Sequence, residues 1–230
     1  LETVALPAVT TMGDVSVQSN PEIEALDLSG VTELDMLYIS SNSSLETLDL
    51  TGLTTVTDGF SLRYNNDLED IDLTGLTTVG GDLRIDGGDW AEDLDLAGLT
   101  TVGGTLYLYS TEFHSLNVPA LTSMGGLYAY YTGFEALDFS ALTAPLSEGF
   151  HVSSNYELES LTIDNLGDLS ENFYWAYNYE VGSMDFSSLT SVDGNLEIYP
   201  DYWDTLNFTG LTSVGGTLRV SYNYELIDLG

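Results

Sequence analysis

The sequence predicts an all-β fold: a parallel β-solenoid of about ten coils, forming a single domain over residues 1–230. Three observations predict it. The unit Leu45-Glu-Thr-Leu48-Asp-Leu50-Thr-Gly-Leu53-Thr-Thr-Val56 recurs as Ile71-Asp-Leu73-Thr-Gly-Leu76-Thr-Thr-Val79, as Leu94-Asp-Leu96-Ala-Gly-Leu99-Thr-Thr-Val102 and as Leu206-Asn-Phe208-Thr-Gly-Leu211-Thr-Ser-Val214. Apolar and polar residues alternate with period two, a few residues at a time, and no stretch sustains a helical period. A single unit has too little apolar surface to bury alone, whereas stacked units share one continuous core.

The elements of a coil follow in order. Taking the first apolar residue of each L-x-L as an anchor gives Val4, Leu26, Leu48, Ile71, Leu94, Leu116, Leu137, Leu161, Met184, Leu206 and Leu229, spaced by 21 to 24 residues. The L-x-L stretch is the first strand. A glycine-rich turn follows, as at Gly80-Gly81, Gly103-Gly104 and Gly215-Gly216, where paired glycines would allow the positive φ of a tight corner. The second strand comes next, as in Leu83-Arg-Ile85, Leu106-Tyr-Leu108 and Leu218-Arg-Val220. It ends in a column of Asn20, Asn42, Asn65, Asn155, Asn178 and Asn223, the pattern of a buried amide ladder that bonds the backbone of neighbouring coils. At ~4.8 Å per coil such a rod is about 45–50 Å long.

The consensus L-x-x-L-x-L-x-x-L-T-x-V-G-G-x-L-x-I-x-x-N, clearest in Leu211-Thr-Ser-Val-Gly-Gly-Thr-Leu-Arg-Val-Ser-Tyr-Asn223, resembles leucine-rich repeats. It is closer still to the receptor L domain, and the resemblance covers the whole chain. That likeness implies a right-handed solenoid and a place outside the cell or on its surface, in recognition or as a scaffold. It implies no catalytic residues. Receptor L domains usually carry cysteine-bearing ends and a capping helix, and this chain has no cysteine.

Composition narrows the functions. There are 37 Asp and Glu against three Lys and Arg, a net charge of −34. Phosphate neutralisation needs cations, so nucleic acid and acidic membrane surfaces are poor partners. No apolar run of ~18 residues is present to span a bilayer. Without cysteine there are no disulfides, thiolate metal sites or cysteine nucleophiles.

Registering the coils separates two chemistries. Between the apolar residues of the first strand stand Asp27, Asp49, Asp72, Asp95, Asn117, Asp138, Thr162, Asp185, Asn207 and Asp228. Two residues before the anchors stand Glu2, Glu24, Glu46, Glu69, Glu92, His114, Glu135, Glu159, Gly182 and Asp204. With Asp70 and Asp93, these columns hold 17 of the 37 acids, so like charges stack from coil to coil. One reading is a solvated face adapted to a salty medium. The other is Ca²⁺ held between neighbouring carboxylates, with Asp27, Asp49, Asp72 and Asp95 as candidate ligands, although no D-x-D-x-D-G loop is present.

All fifteen tyrosines fall in the second strand or the turn after it, and every arginine lies in that strand. One outward column reads Ser16, Tyr38, Ser61, Arg84, Tyr107, Tyr128, His151, Tyr174, Glu197, Arg219. Its neighbour reads Gln18, Ser40, Arg63, Asp86, Tyr109, Tyr130, Ser153, Ala176, Tyr199, Ser221. Tyrosines on a flat sheet stack on sugars or anchor protein interfaces, and they also pack on one another because tyrosine favours strands. The candidate binding residues are Tyr107, Tyr109, Tyr128, Tyr130, Tyr174, Tyr199, Arg84 and His151.

Paired hydroxyls such as Thr54-Thr55 and Thr77-Thr78 follow the first strand at a bend, and the array breaks at Ala144 and Gly167-Asp168, which argues against ice binding. His114 and His151 stand in different coils, and no GxSxG, Walker or HExxH motif is present, so an enzyme is not expected. The expected function is non-catalytic recognition or adhesion at the cell surface, with a glycan or a surface protein as partner. The alternative is a structural subunit that self-associates end to end in a filament or surface layer; neither Leu1-Glu-Thr-Val4 nor Leu226-Ile-Asp-Leu229 supplies a polar cap, as expected equally of a segment of a longer repeat array and of end-to-end stacking.

Overall fold

The computed structural model describes residues 2–69, 71–88, 93–199 and 205–223. It is all-β: every element among the described residues is a strand, and all pairings are parallel. The strands stack into a β-solenoid of about 9 turns.

The tyrosine-bearing strands form one continuous sheet, in the order Val15–Gln18, Leu37–Ser40, Phe60–Arg63, Leu83–Gly88, Thr101–Thr111, Ser123–Tyr130, Phe150–Ser153, Phe173–Ala176, Leu196–Ile198 and Leu218–Val220. Registry matches the columns read from the sequence. Arg84 pairs with Tyr107, Tyr107 with Tyr128, Tyr128 with His151 and His151 with Tyr174. The L-x-L strands form shorter sheets: Thr3–Ala5 with Ala25–Asp27 and Thr47–Asp49, then Asp93–Asp95 through Ser160–Thr162, then Ser183–Asp185 with Thr205–Asn207.

A third face was not expected. The threonine pairs enter short strands of their own, Glu33–Leu34, Thr55–Val56 and Thr78–Val79, which run on into Thr101–Thr111 and Ser123–Tyr130. Their hydroxyls have structural work. Thr54 Oγ1 donates to Thr32 O at 3.0 Å, Thr77 to Thr54 O at 2.8 Å and Thr100 to Thr77 O at 2.9 Å, so each coil is tied to the previous one. This gives the first hydroxyl of each pair a structural role without any ligand.

Corners differ in their chemistry. After L-x-L, a turn is closed by main-chain bonds such as Leu53 N to Leu50 O at 2.8 Å. After the tyrosine strand, Asn42, Asn65, Asn155 and Asn178 are fully buried, and each Nδ2 donates to a carbonyl of the preceding coil: Val17, Ile39, Ala129 and Val152. The buried amide ladder is therefore present at these four positions, whereas Asn20 is exposed and Asn223 half-buried, and the Nδ2 of each donates to a carbonyl of its own coil.

The glycine pairs work differently from the expectation. Among the described glycines only Gly87 and Gly167 have positive φ. A Cβ at Gly103 would stand 2.0 Å from Gly80 O, so this corner needs glycine because two coils pass too closely for a side chain. The left-handed conformation falls instead one residue before the Asn column, at Ser19, Ser41, Tyr64, Ser110, Tyr131, Ser154, Tyr177 and Tyr222.

The core runs the length of the rod. Leu26, Leu48, Leu94 and Leu116 fill one wall, Leu37, Phe60, Leu83, Leu106 and Leu127 another. Towards the later coils aromatics replace leucines: Phe150 stacks on Phe173 at 4.8 Å, and Trp175 is fully buried. A rigid, filled interior of this kind holds the outward side chains in fixed register.

Candidate functional site: the tyrosine sheet and its corner

Period-two alternation sends Leu106, Leu108, Leu127 and Ala129 inward and leaves Tyr107, Tyr109, Tyr128 and Tyr130 outward on the sheet. Parallel in-register pairing then places like positions of successive coils side by side, so the rings form a ladder. Arg84 lies over Tyr107 with its guanidinium carbon 5.6 Å from the ring centroid. Tyr107 and Tyr128 follow at 5.2 Å, Tyr128 and His151 at 5.3 Å, His151 and Tyr174 at 4.4 Å, and Tyr174 and Tyr199 at 5.4 Å. A second column adds Tyr109 and Tyr130 at 6.4 Å, edge to face. All eight candidate binding residues therefore belong to one connected aromatic and cationic array.

The array is half-buried rather than freely exposed, and burial sets its protonation. Burial pushes the Tyr128 hydroxyl up to about 12, helped by the Glu171 carboxylate, to which it donates at 3.3 Å. Tyr107, Tyr109 and Tyr174 are raised in the same way, mainly by burial. His151 is pulled down to about 4 by burial, and its Nε2 lies 2.9 Å from Ser153 Oγ. At neutral pH the stack is uncharged from Tyr107 to Tyr174, with an imidazole acting as a flat aromatic member. Gly149 makes the Tyr128 position possible, because a Cβ there would lie 2.8 Å from the Tyr128 hydroxyl.

The arginines are not free charges. Arg63 and Arg84 both bind Asp86, at 3.0 and 2.9 Å, and Asp86 is almost fully buried between them. Arg84 also covers Tyr109 at 4.9 Å, Arg63 covers Tyr64 at 5.1 Å and Arg219 covers Tyr199 at 5.1 Å. All three cations are thus held on tyrosine rings, so the sheet offers neutral faces and hydroxyls rather than a positive patch.

The sequence shows the corner tyrosines as tyrosine-rich turns, but they were not among the candidate binding residues. Tyr131, Tyr156, Tyr177 and Tyr179 continue the array past the end of the strand: Tyr130 meets Tyr131 at 4.4 Å, Tyr131 meets Tyr156 at 5.8 Å and Tyr156 stacks on Tyr179 at 6.2 Å. The signal was present in the turns Asn155-Tyr-Glu-Leu158 and Asn178-Tyr-Glu-Val181. The array opens into shallow depressions, one of about 380 Å³ beside Arg84, Tyr109, Tyr128 and His151 and another of about 450 Å³ beside Tyr130, Tyr131, Tyr156 and Tyr174.

The acidic columns lie on the L-x-L face. There the candidate metal ligands have a local task. Asp27 Oδ1 accepts from Ser29 N at 2.9 Å and Ser29 Oγ at 2.6 Å, Asp49 accepts likewise from Thr51, Asp72 from Thr74, and Asp95 from Ala97 N at 3.0 Å. Each aspartate closes the turn that follows it by bonding the residue two positions on. These bonds hold Asp27 and Asp72 below the ordinary aspartate range. Asp27 and Asp49 pair directly in register. Among the described residues no group of three or more His, Cys, Asp or Glu is arranged to hold a metal ion. Asp70, Glu92, Asp204, Asp228 and the Leu226–Leu229 stretch lie outside the described residues.

No protein-family model, curated protein or solved structure matches this chain.

Proposed function

We propose that the chain is a non-catalytic recognition module of the leucine-rich or receptor-L-domain kind, acting outside the cell or on its surface, that holds a glycan or a surface protein on its tyrosine face. The observation that carries this reading is the continuous ladder Arg84–Tyr107–Tyr128–His151–Tyr174, with Tyr109 and Tyr130 alongside. Half-buried rings give a partner large contact area at little cost in side-chain entropy, because neighbouring rings already fix their rotamers. Their uncharged state suits sugar stacking or a protein interface core, and their hydroxyls supply polar contacts at the rim.

The test is a panel of glycans and cell-surface proteins presented to the wild type and to a Tyr128→Ser, Tyr130→Ser double variant. Both side chains point away from the core, so the variant should melt near the wild type. Binding lost from the variant supports the reading, and binding retained at full strength by the variant overturns it. Light scattering on the same samples gives particle size: a ~25 kDa particle accords with a recognition module, and long rods would instead make end-to-end assembly the function.

A further inference from the structure

Among the described residues the amide ladder lapses at one place. Thr111 and Thr132 occupy its column in successive coils, and Gly88 precedes them. Thr132 still bonds Asn155 Oδ1, at 2.7 Å from its hydroxyl. Thr111 does not find such a partner: its buried Oγ1 is without a hydrogen bond, alone in this among the described side chains. Beside this lapse the surface opens into a depression of about 430 Å³, lined by Thr111, Tyr131, Tyr156, His114 and three carboxylates, Glu112, Glu135 and Glu157.

Tyr131 and Tyr156 also line the aromatic depression on the sheet side. The two hollows therefore adjoin over the corner, and the acidic one, a corner trough, sets these two rings among the three carboxylates. The shared wall is well formed: the two rings meet at 5.8 Å and 70°. The carboxylates are not gathered closely enough for a metal ion. Their spread suits an extended cation with several charges.

The chain itself shows what such chemistry holds. Arg84 lies over two tyrosine rings, at 5.6 and 4.9 Å, while it pairs with the Asp86 carboxylate at 2.9 Å. Arg63 does the same with Tyr64 and Asp86. Rings plus carboxylate around a guanidinium is thus a built arrangement on this sheet. The three arginines are taken up by Tyr64, Tyr107, Tyr109 and Tyr199, and none covers Tyr130, Tyr131 or Tyr156. The trough sets rings beside carboxylates with no arginine over them, on a chain whose net charge is −34.

We propose that this corner trough docks an arginine-rich segment of a partner protein. A guanidinium is planar, stacks on tyrosine and bonds a carboxylate in fork geometry, so it satisfies the rings and the carboxylates of the trough at once, which an ammonium does less well. The long-range field of the acidic chain speeds the encounter with a basic segment. This extends the recognition reading from the sheet to its corner, and the two fail separately because Tyr131 and Tyr156 are varied here and Tyr128 and Tyr130 there.

The test is calorimetric titration of the full chain with a short synthetic oligoarginine, and with an oligolysine of equal length, at about 0.15 M salt, where the Debye length is about 8 Å. Tyr156→Leu and Tyr131→Asn leave the net charge unchanged, and Asn suits the left-handed backbone of Tyr131, φ 53°. The expected result is saturable oligoarginine binding, tighter than oligolysine, that weakens about tenfold or more in the double variant and is unaltered by Tyr128→Ser. Melting temperatures confirm that the variants are folded. Absence of binding, or binding by the double variant at wild-type strength, overturns the proposal, the latter because affinity would then follow net charge alone. Loss in Tyr128→Ser equal to that in the corner variants also overturns it and moves the cation site to the sheet.

Discussion

Replacing Asn155 by Ala tests how the coils are held in register beneath the recognition face. Asn155 is fully buried. Its Nδ2 donates to Ala129 O at 3.2 Å and to Asn178 Oδ1 at 3.0 Å, while its Oδ1 accepts from Thr132 N at 3.0 Å and Thr132 Oγ1 at 2.7 Å. Truncation strands the Thr132 N–H and removes a donor from the Ala129 carbonyl, both in the interior. A buried polar group left unsatisfied costs about 1–3 kcal/mol, so the pair and the small void together should cost about 3–5 kcal/mol. That is a large part of a typical stability of about 5–15 kcal/mol. Asn20 makes the same kind of bond to Asn42, at 3.3 Å, but it is exposed, and water replaces what Ala removes there. Asn20→Ala should cost under about 1 kcal/mol. Urea unfolding at fixed salt, followed by circular dichroism, measures both, and an unchanged denaturant slope shows that the unfolding unit is the same. Equal losses for the two variants would refute the claim that buried amides, rather than repeat packing alone, hold this corner.

Three further outcomes follow from the same geometry. His151 sits at about 4 in the folded chain against 6.5 unfolded, so its contribution is complete above about pH 6.5 and is lost as pH falls towards 4; it amounts to about 3 kcal/mol at most. His151→Phe should keep the stack and flatten the stability profile across that window, and parallel profiles would contradict the burial argument. Asp27, Asp72 and Asp185, held below 3.8 by their turn bonds, add a separate loss only as pH drops beneath that value. Gly103→Ala, whose Cβ would meet Gly80 O at 2.0 Å, should cost about 3 kcal/mol or more in denaturant unfolding, while Gly182→Ala, with nothing within 4 Å, should be near neutral. Added salt should raise the melting temperature by screening the acidic columns, and millimolar Ca²⁺ should raise it further only if carboxylates of neighbouring coils share the ion; a response to salt alone removes specific calcium sites.

Much of this molecule is legible in its sequence, because a solenoid turns sequence period into spatial column. The Asn ladder, the inward leucines and the outward run Tyr107, Tyr128, His151, Tyr174 all stand where 21- to 24-residue spacing puts them. What escaped has physical reasons. The strands Thr55–Val56 and Thr78–Val79 are two residues long, too short to show alternation, so the threonines read as a bend. The aspartates read as an exposed charged column, but the local bond from Ser29 N to Asp27 is a matter of side-chain direction that spacing does not reveal. The glycine pairs read as tight corners of positive φ, whereas their cause is the approach of a second coil, visible only once the coils are stacked. The corner trough depends on Thr111 standing where an asparagine is expected, a departure from the repeat rather than an instance of it.

The most direct test of recognition by the tyrosine face is chemical nitration of tyrosines, mapped by peptide mass spectrometry, in the free protein and with a ligand from the panel bound. The account predicts that Tyr107, Tyr128, Tyr130 and Tyr174 become protected together, while Tyr222, at the far end of the sheet and 62% exposed, reacts as before. Nitration of all four at the free rate, with the ligand still bound, would place recognition on another surface and contradict it.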